Sequence, residues 1–325
     1  MKILITTSSR LPAEKYGGAE RVIWCLGKEL SRLGHEVLFL AAPNSQCPFA
    51  EIIPYDGKED ARGLIPADID LVHFFSDLPE DVQFPYVVTQ QGNCPSGSTS
   101  DKQTVFVSAN HAQRNGSETY VHNGLDWSEV ELTDSSRRGF HFLGKAAWRR
   151  KNVRGAISSA MRIEKAQLHV LGGYRLNFSM GFRFTANPRV RFHGMVDDTY
   201  KNEVMQRSLG LVFPVRWNEP FGLALTESLY CGCPVFGTPY GSLPEIVTGD
   251  VGFLSNKSSE ITDALREADS WPSSICREYA AENFNSRKMT LSYLALYEKA
   301  LRGESLNEKS PQATDDPNAT LPWFN

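Results

Sequence analysis

Apolar positions in the front half of the chain fall into two alternating rhythms. Short apolar runs at 3–7, 36–41, 71–75, 86–89, 104–107 and 119–121 predict buried strands. Between the first two, after Gly17-Gly18, apolar residues at 19, 22, 23, 26, 30 and 33 keep helical spacing. Gly34 then stands where a helix places its C′ glycine. Strand, glycine turn, helix, strand is the pattern of a parallel, doubly wound α/β sheet.

The polar stretch 126–138 reads as a linker, and the pattern then restarts. Strands are predicted at 140–143, 168–171, 190–192, 209–213 and 234–236. Helices are predicted at 152–163, 199–207, 221–230 and 243–247, with two more near 259–282 and a last one near 286–301. The reading is two similar α/β domains, 1–136 and 137–284, then a helix at 285–302 and a polar tail at 303–325. Rich in Glu, Asn, Ser, Pro and Asp, the tail is expected to be mobile or docked as an extended arm. Its apolar end, Leu321-Pro322-Trp323-Phe324, reads as a loose terminus.

A length of 325 residues exceeds one ordinary core and agrees with two domains. The longest clean apolar run, 37–42, is far below the roughly 20 residues of a membrane span. The start, Met1-Lys2-Ile3-Leu4-Ile5-Thr6, reads as a strand rather than a signal peptide. Six cysteines scattered through the chain do not form a secreted disulfide framework, so a reducing cytoplasm is expected. Charge is divided unevenly. Residues 1–136 carry 10 Lys/Arg and 19 Asp/Glu, and residues 137–325 carry 24 and 19. The acidic front half excludes a nucleic-acid partner and disfavours docking on anionic membranes through that domain. Residues 137–162 hold eight basic residues and no acidic one, which suits a compact anion such as a nucleotide diphosphate.

The most informative stretch is Glu219-Pro220-Phe221-Gly222-Leu223-Ala224-Leu225-Thr226-Glu227, after the strand 209–213 and a short loop. Proline at 220 places a helix start close to Phe221, at the carboxyl end of a parallel strand. Amides and dipole at such a start favour phosphate, and Gly222 lets a ligand approach the backbone. The helix rises roughly 9 Å from Phe221 to Glu227. That span is comparable to a sugar on one side of a diphosphate and a ribose on the other, with a carboxylate for each diol.

The chain continues with Cys231-Gly232-Cys233-Pro234-Val235, then Gly241-Ser242-Leu243-Pro244-Glu245-Ile246-Val247 and Gly252-Phe253-Leu254. Here it resembles the family-4 glycosyltransferases, whose E-x7-E block it matches from Glu219 to Leu254. The resemblance extends over about residues 1–300. Tyr16-Gly17-Gly18-Ala19-Glu20-Arg21-Val22, Asp70-Leu71-Val72-His73, and Val121-His122-Asn123-Gly124 are similar to blocks of the family's first domain. Leu143-Gly144-Lys145, Lys151-Asn152 and Val190-Arg191-Phe192-His193-Gly194 resemble openings of its second.

The resemblance implies a GT-B fold, two Rossmann-like domains facing a central cleft, with the helix 285–302 packing back toward the first. It implies a retaining, metal-independent sugar transferase without a cofactor, acting on a nucleotide-diphosphate sugar and a saccharide, glycolipid or small-molecule acceptor. Membrane contact would be at most peripheral, at the inner face. Glu219 would hold the sugar, Glu227 the ribose, and Lys145 and Lys151 the diphosphate. Gly17, Gly18, Phe221, Gly222, Leu223 and Gly194 would line the donor site. Lys145 stands where the family usually has arginine, and Arg150 competes with Lys151 for the second cation. Gln91 takes the place of a family histidine, and with Asn123 and His111 it is a candidate for the cleft. A nucleotide-sugar epimerase or a non-catalytic nucleotide- or sugar-binding protein would suit the same architecture.

Other features read as structure. Cys231-Gly232-Cys233 lacks metal spacing and should pack behind a helix. Asp68-Ile69-Asp70 precedes its strand and reads as a cap. His111 is expected at the surface or lining the cleft.

Overall fold

The computed structural model describes residues 1–13, 17–57, 61–75, 78–133, 136–178 and 180–325. Tyr16, ahead of the glycine pair, and 134–135, within the expected linker, lie outside them. Along the chain the elements are β1 Lys2–Thr6, α1 Gly18–Arg32, β2 Glu36–Ala41, β3 Glu51–Pro54, β4 Leu71–Phe74, β5 Tyr86–Gln90, β6 Thr104–Phe106 and α2 Ala109–Gln113. The series continues with β7 Phe140–Leu143, α3 Val153–Met161, β8 Leu168–Leu171, β9 Leu176–Asn177, β10 Arg183–Phe184, β11 Val190–Phe192 and α4 Asp198–Gln206. Then come β12 Leu211–Phe213, α5 Leu223–Tyr230, β13 Val235–Gly237, α6 Leu243–Ile246, β14 Gly252–Leu254, α7 Ser258–Arg266, α8 Ser273–Asn283 and α9 Ser286–Leu301.

These form two compact units. One comprises Met1–Asp126 and Phe284–Asp316, the other Trp127–Asn283 and Pro317–Asn325. Each holds a six-stranded parallel sheet, ordered β3-β2-β1-β4-β5-β6 in the first and β11-β8-β7-β12-β13-β14 in the second. Taken in chain order within each sheet, both read 3-2-1-4-5-6, the doubly wound arrangement.

In the first unit β1 buries Ile3, Leu4 and Ile5 completely, which is why its sequence is a continuous apolar run rather than an alternating one. The expected strand at 119–121 meets β6 at one bridge, Phe106 to Tyr120. Helix α9 packs on α1 and β5. It carries Tyr293 and Tyr297 into a fully buried polar chain. The Tyr297 hydroxyl lies 2.6 Å from His73 Nδ1, His73 Nε2 lies 2.7 Å from Thr89 Oγ1, and that oxygen lies 2.9 Å from the Tyr293 hydroxyl.

Burial pushes the pKa of His73, of His111 in the same unit, and of His141 in the other down to about 3. An unfolded chain protonates these imidazoles near their usual 6.5, while the native protein resists until about 3. The unfolded state therefore binds more protons in that window, and stability falls with pH by about 1.4 kcal/mol per unit for each such histidine. Thermal unfolding followed at pH 7.5, 6 and 5 should show a steep drop in Tm, whereas a flat profile would mean that these rings are hydrated or charged.

In the second unit Phe140, Phe142, Val153, Leu168, Val170, Val212 and Phe236 form the core between sheet and helices. The expected linker begins as structure: Trp127 is 8% exposed and stacks on Tyr230 of α5, with centroids 4.4 Å apart. The segment 303–325 is not loose. In the first unit Asn307 is buried, and its amide donates to the carbonyls of Lys102 and Thr104, both at 2.8 Å. In the second, Leu321 and Arg216 exchange two hydrogen bonds of 2.9 Å, Phe324 pairs with Lys257, and Trp323 covers the core. Backbone pairing holds this segment as a docked arm, one of the two expectations for it, and only the loose reading of Leu321-Pro322-Trp323-Phe324 fails.

Candidate functional site

A doubly wound sheet opens a crevice at the carboxyl ends of the strands where the order reverses. In the second unit that point lies between β7 and β12, and the loops 144–152 and 214–222 leave it. Gly222 adopts a left-handed φ of 86° and caps α5, which starts at Leu223, two residues past the expected Phe221. The N-cap residue is a glycine and offers no side chain to this helix end, so its dipole and leading amides suit an anion.

Glu219 is 6% exposed. Lys151 Nζ approaches its Oε2 to 2.6 Å, and Trp217 Nε1 donates to the same oxygen at 2.8 Å. The ammonium sits 5.1 Å from the ring centroids of both Phe213 and Trp217, a cation–π setting that holds the charge in place. Arg150 is engaged elsewhere. It bonds the Pro317 carbonyl and lies against the Trp148 and Trp217 rings. Lys151 is thus the cation that meets Glu219. Lys145 is exposed and lies 5.4 Å from the Trp148 ring centre.

The loop after β13 fixes the carboxylate's backbone. The Ser242 amide donates to Glu219 O at 2.9 Å and its hydroxyl to Phe221 O at 2.6 Å. A Cβ on Gly241 would lie 2.2 Å from Glu219 N, so glycine is required there.

Glu227, one turn into α5, is also paired. Its Oε1 bonds Lys201 Nζ from α4, and Lys201 also reaches Asp198 at 2.6 Å. Lys201 is 6% exposed. The two carboxylates flanking the helix start therefore each have a largely buried lysine. Neither Trp217 nor Lys201 was anticipated. The signal for Lys201 was its place four residues before Met205, on the inner face of α4.

Gly194 follows β11 and exchanges backbone bonds with Gly172 and Gly173, with the Tyr174 ring over it. The other expected residues belong to the first unit. Gly17 and Gly18 open α1, where a Cβ on Gly17 would lie 2.6 Å from Glu20 Oε2, and Ser9 Oγ donates to Glu20 at 2.8 Å. Gln91 and Asn123 exchange side-chain bonds of 3.3 and 3.1 Å. His111, expected at the surface or lining the cleft, is not at the surface. It is completely enclosed, edge-on to Phe106, because the Ser108 cap turns the start of α2 inward. Among the described residues no group of three His, Cys, Asp or Glu side chains is set as a metal site.

Residues 137–268 match a family model described as glycosyl transferases group 1. The chain is 30% identical over 129 residues to N-acetyl-alpha-D-glucosaminyl L-malate synthase of Bacillus anthracis, covering 36% of this chain and 32% of that one. It is 30% identical over 137 residues to O-antigen chain mannosyltransferase B of Escherichia coli, covering 38% and 35%. The matched stretch thus spans about a third of these curated relatives. Among solved structures, AviGT4, a glycosyltransferase involved in avilamycin A biosynthesis, superposes with a TM-score of 0.78 at 20% identity, over 93% of this chain and 98% of that one. The chain therefore has the two-sheet GT-B fold, and the segment that carries Glu219 and Glu227 matches the group 1 glycosyl transferases.

Proposed function

We propose that this chain is a glycosyltransferase that moves a sugar from a nucleotide-diphosphate sugar to an acceptor hydroxyl, with retention, in glycan or glycolipid synthesis. The observation that carries this reading is the start of α5, capped by a glycine and flanked by two carboxylates that are each aimed by a lysine. Amides at 223 and 224 and Lys151 would hold the diphosphate, with Lys145 contributing from the exposed rim. Glu219 would accept from the sugar hydroxyls and Glu227 from the ribose diol. In the reaction the bond from the anomeric carbon to the phosphate oxygen breaks, and the acceptor oxygen bonds the same face. The acceptor's proton passes to the departing phosphate, so no separate protein base and no metal are invoked. Charge grows on the leaving diphosphate, where fixed cations and dipoles act most strongly. We place such an enzyme in the cytoplasm with peripheral membrane contact, on the scattered spacing of its six cysteines.

A thermal-shift screen of nucleotide sugars, followed by assay of each hit for hydrolysis and transfer, tests the reading. One donor should stabilise the protein and be consumed faster with an acceptor present. No stabilisation by any donor, or isomerisation of a donor without acceptor, would refute it.

The Lys201–Glu227 pair yields a sharper expectation. Lys201→Met should weaken a nucleoside diphosphate about tenfold, while its 2′-deoxy analogue should lose much less, because the misplaced carboxylate no longer meets the diol. Calorimetry on both ligands checks this, and equal losses would assign Lys201 to the fold alone.

A further inference from the structure

The crossover from β8 to β11, a place where doubly wound sheets usually put a helix, is instead the antiparallel hairpin β9–β10, with Leu176 opposite Phe184 and Asn177 opposite Arg183. Its alternation is inside out. Arg175 points inward and donates to the carbonyls of Thr185, Asn187 and Val190, and Arg183 donates to Tyr174 O and stacks on Phe192. The apolar residues face solvent: Tyr174 is 66% exposed, Leu176 47%, Phe178 74%, Met180 52%, Phe182 62% and Phe184 59%. Tyr174, Phe178, Phe182 and Phe184 are the four most exposed large apolar side chains among the described residues. So many on one two-stranded ribbon mark a binding surface rather than ordinary scatter.

The surroundings say what binds. Two exposed arginines brace the hairpin from outside its strands: Arg149 donates to Met180 O at 2.9 Å and Arg154 to Phe182 O at 2.8 Å. From 137 to 196 the chain carries 13 Lys/Arg and one acidic residue, Glu164. We propose that this hairpin is a membrane anchor, with its aromatic face inserted among the acyl chains of an anionic leaflet and Arg149 and Arg154 at the headgroups. Aromatic and aliphatic side chains beside arginine are the composition that holds proteins at bilayer interfaces. A second copy is disfavoured, because a two-fold contact through this face would set arginine against arginine. The contact lies in the second unit, whose opening segment 137–162 carries eight basic residues and no acidic one. This inference does not rest on the reaction proposed above.

Co-sedimentation with sucrose-loaded vesicles, in the absence of any donor, tests it. The protein should pellet with equimolar phosphatidylglycerol and phosphatidylcholine at low salt, and about tenfold less with phosphatidylcholine alone. The triple variant Phe178→Ser, Phe182→Ser, Phe184→Ser should lower partitioning by about tenfold or more while melting at the same temperature, since the three side chains are exposed. Arg154→Glu should weaken binding to the anionic vesicles only. The proposal is overturned if the protein stays in the supernatant with both vesicles, or if the triple variant pellets like wild type. It is equally overturned if sedimentation velocity shows a dimer that the triple variant dissolves, which would assign the face to self-association.

Discussion

Glu219→Ala is expected to lower kcat/KM for sugar transfer by about 10²–10³-fold, or roughly 3–4 kcal/mol of transition-state stabilisation. The carboxylate is almost fully buried and receives both Lys151 and the Trp217 indole. On the proposed reading its loss removes the acceptor for the donor sugar's hydroxyls, and it frees Lys151 from the position that its partner sets. Residual donor hydrolysis should vanish with transfer, since both need the sugar held over the diphosphate. Steady-state kinetics with saturating acceptor measures the first, and release of free sugar measures the second. A variant that keeps wild-type rates would remove Glu219 from the chemistry. Glu219→Gln should fall between the two, because an amide can still accept from one hydroxyl but no longer pairs with the ammonium.

Lys151→Ala should be nearly as severe, through a different step. The ammonium is held by Phe213, Trp217 and Glu219 close to the start of α5. Removing a fixed cation from a leaving diphosphate typically costs about 3 kcal/mol, near a hundredfold in rate. It also leaves Glu219 buried without its counter-charge, which adds to the loss. Binding should show the same selectivity. A nucleoside diphosphate should lose much more affinity than the corresponding nucleoside, which has no phosphate to miss the cation. Equal losses in calorimetry would mean that Lys151 only supports the fold around Glu219.

Much of this was legible in the sequence where burial dictates residue type. The sheets announced themselves because the cores of β1 and β12 are covered on both faces and read as unbroken apolar runs, with β4 broken only by the buried His73. The E-x7-E spacing was legible because a helix start with Pro220 and Gly222 leaves few backbone choices. What escaped depended on contacts distant along the chain. Lys201 meets Glu227 across 26 positions and belongs to no motif. Trp217 looked like loop until its indole was seen on Glu219. The strand at 51–54 is only half-buried and lacks the apolar run that marked its neighbours. The hairpin at 174–186 does alternate, but with its apolar residues outward, a polarity that the usual core-facing rule does not anticipate. The burial of His111 escaped, and it was left between surface and cleft, because a histidine after a strand gives no hint of how its capping serine turns the following helix.

On the proposed function, the start of α5, with Glu219 and Glu227 beside it, grips a nucleotide sugar. A crystal structure with an intact donor tests it most directly. Diphosphate oxygens should lie about 3 Å from the amides of Leu223 and Ala224, with Lys151 drawn from Glu219 onto phosphate and the two carboxylates on the sugar and ribose hydroxyls. A donor bound elsewhere, with the Lys151–Glu219 pair unbroken, would contradict it.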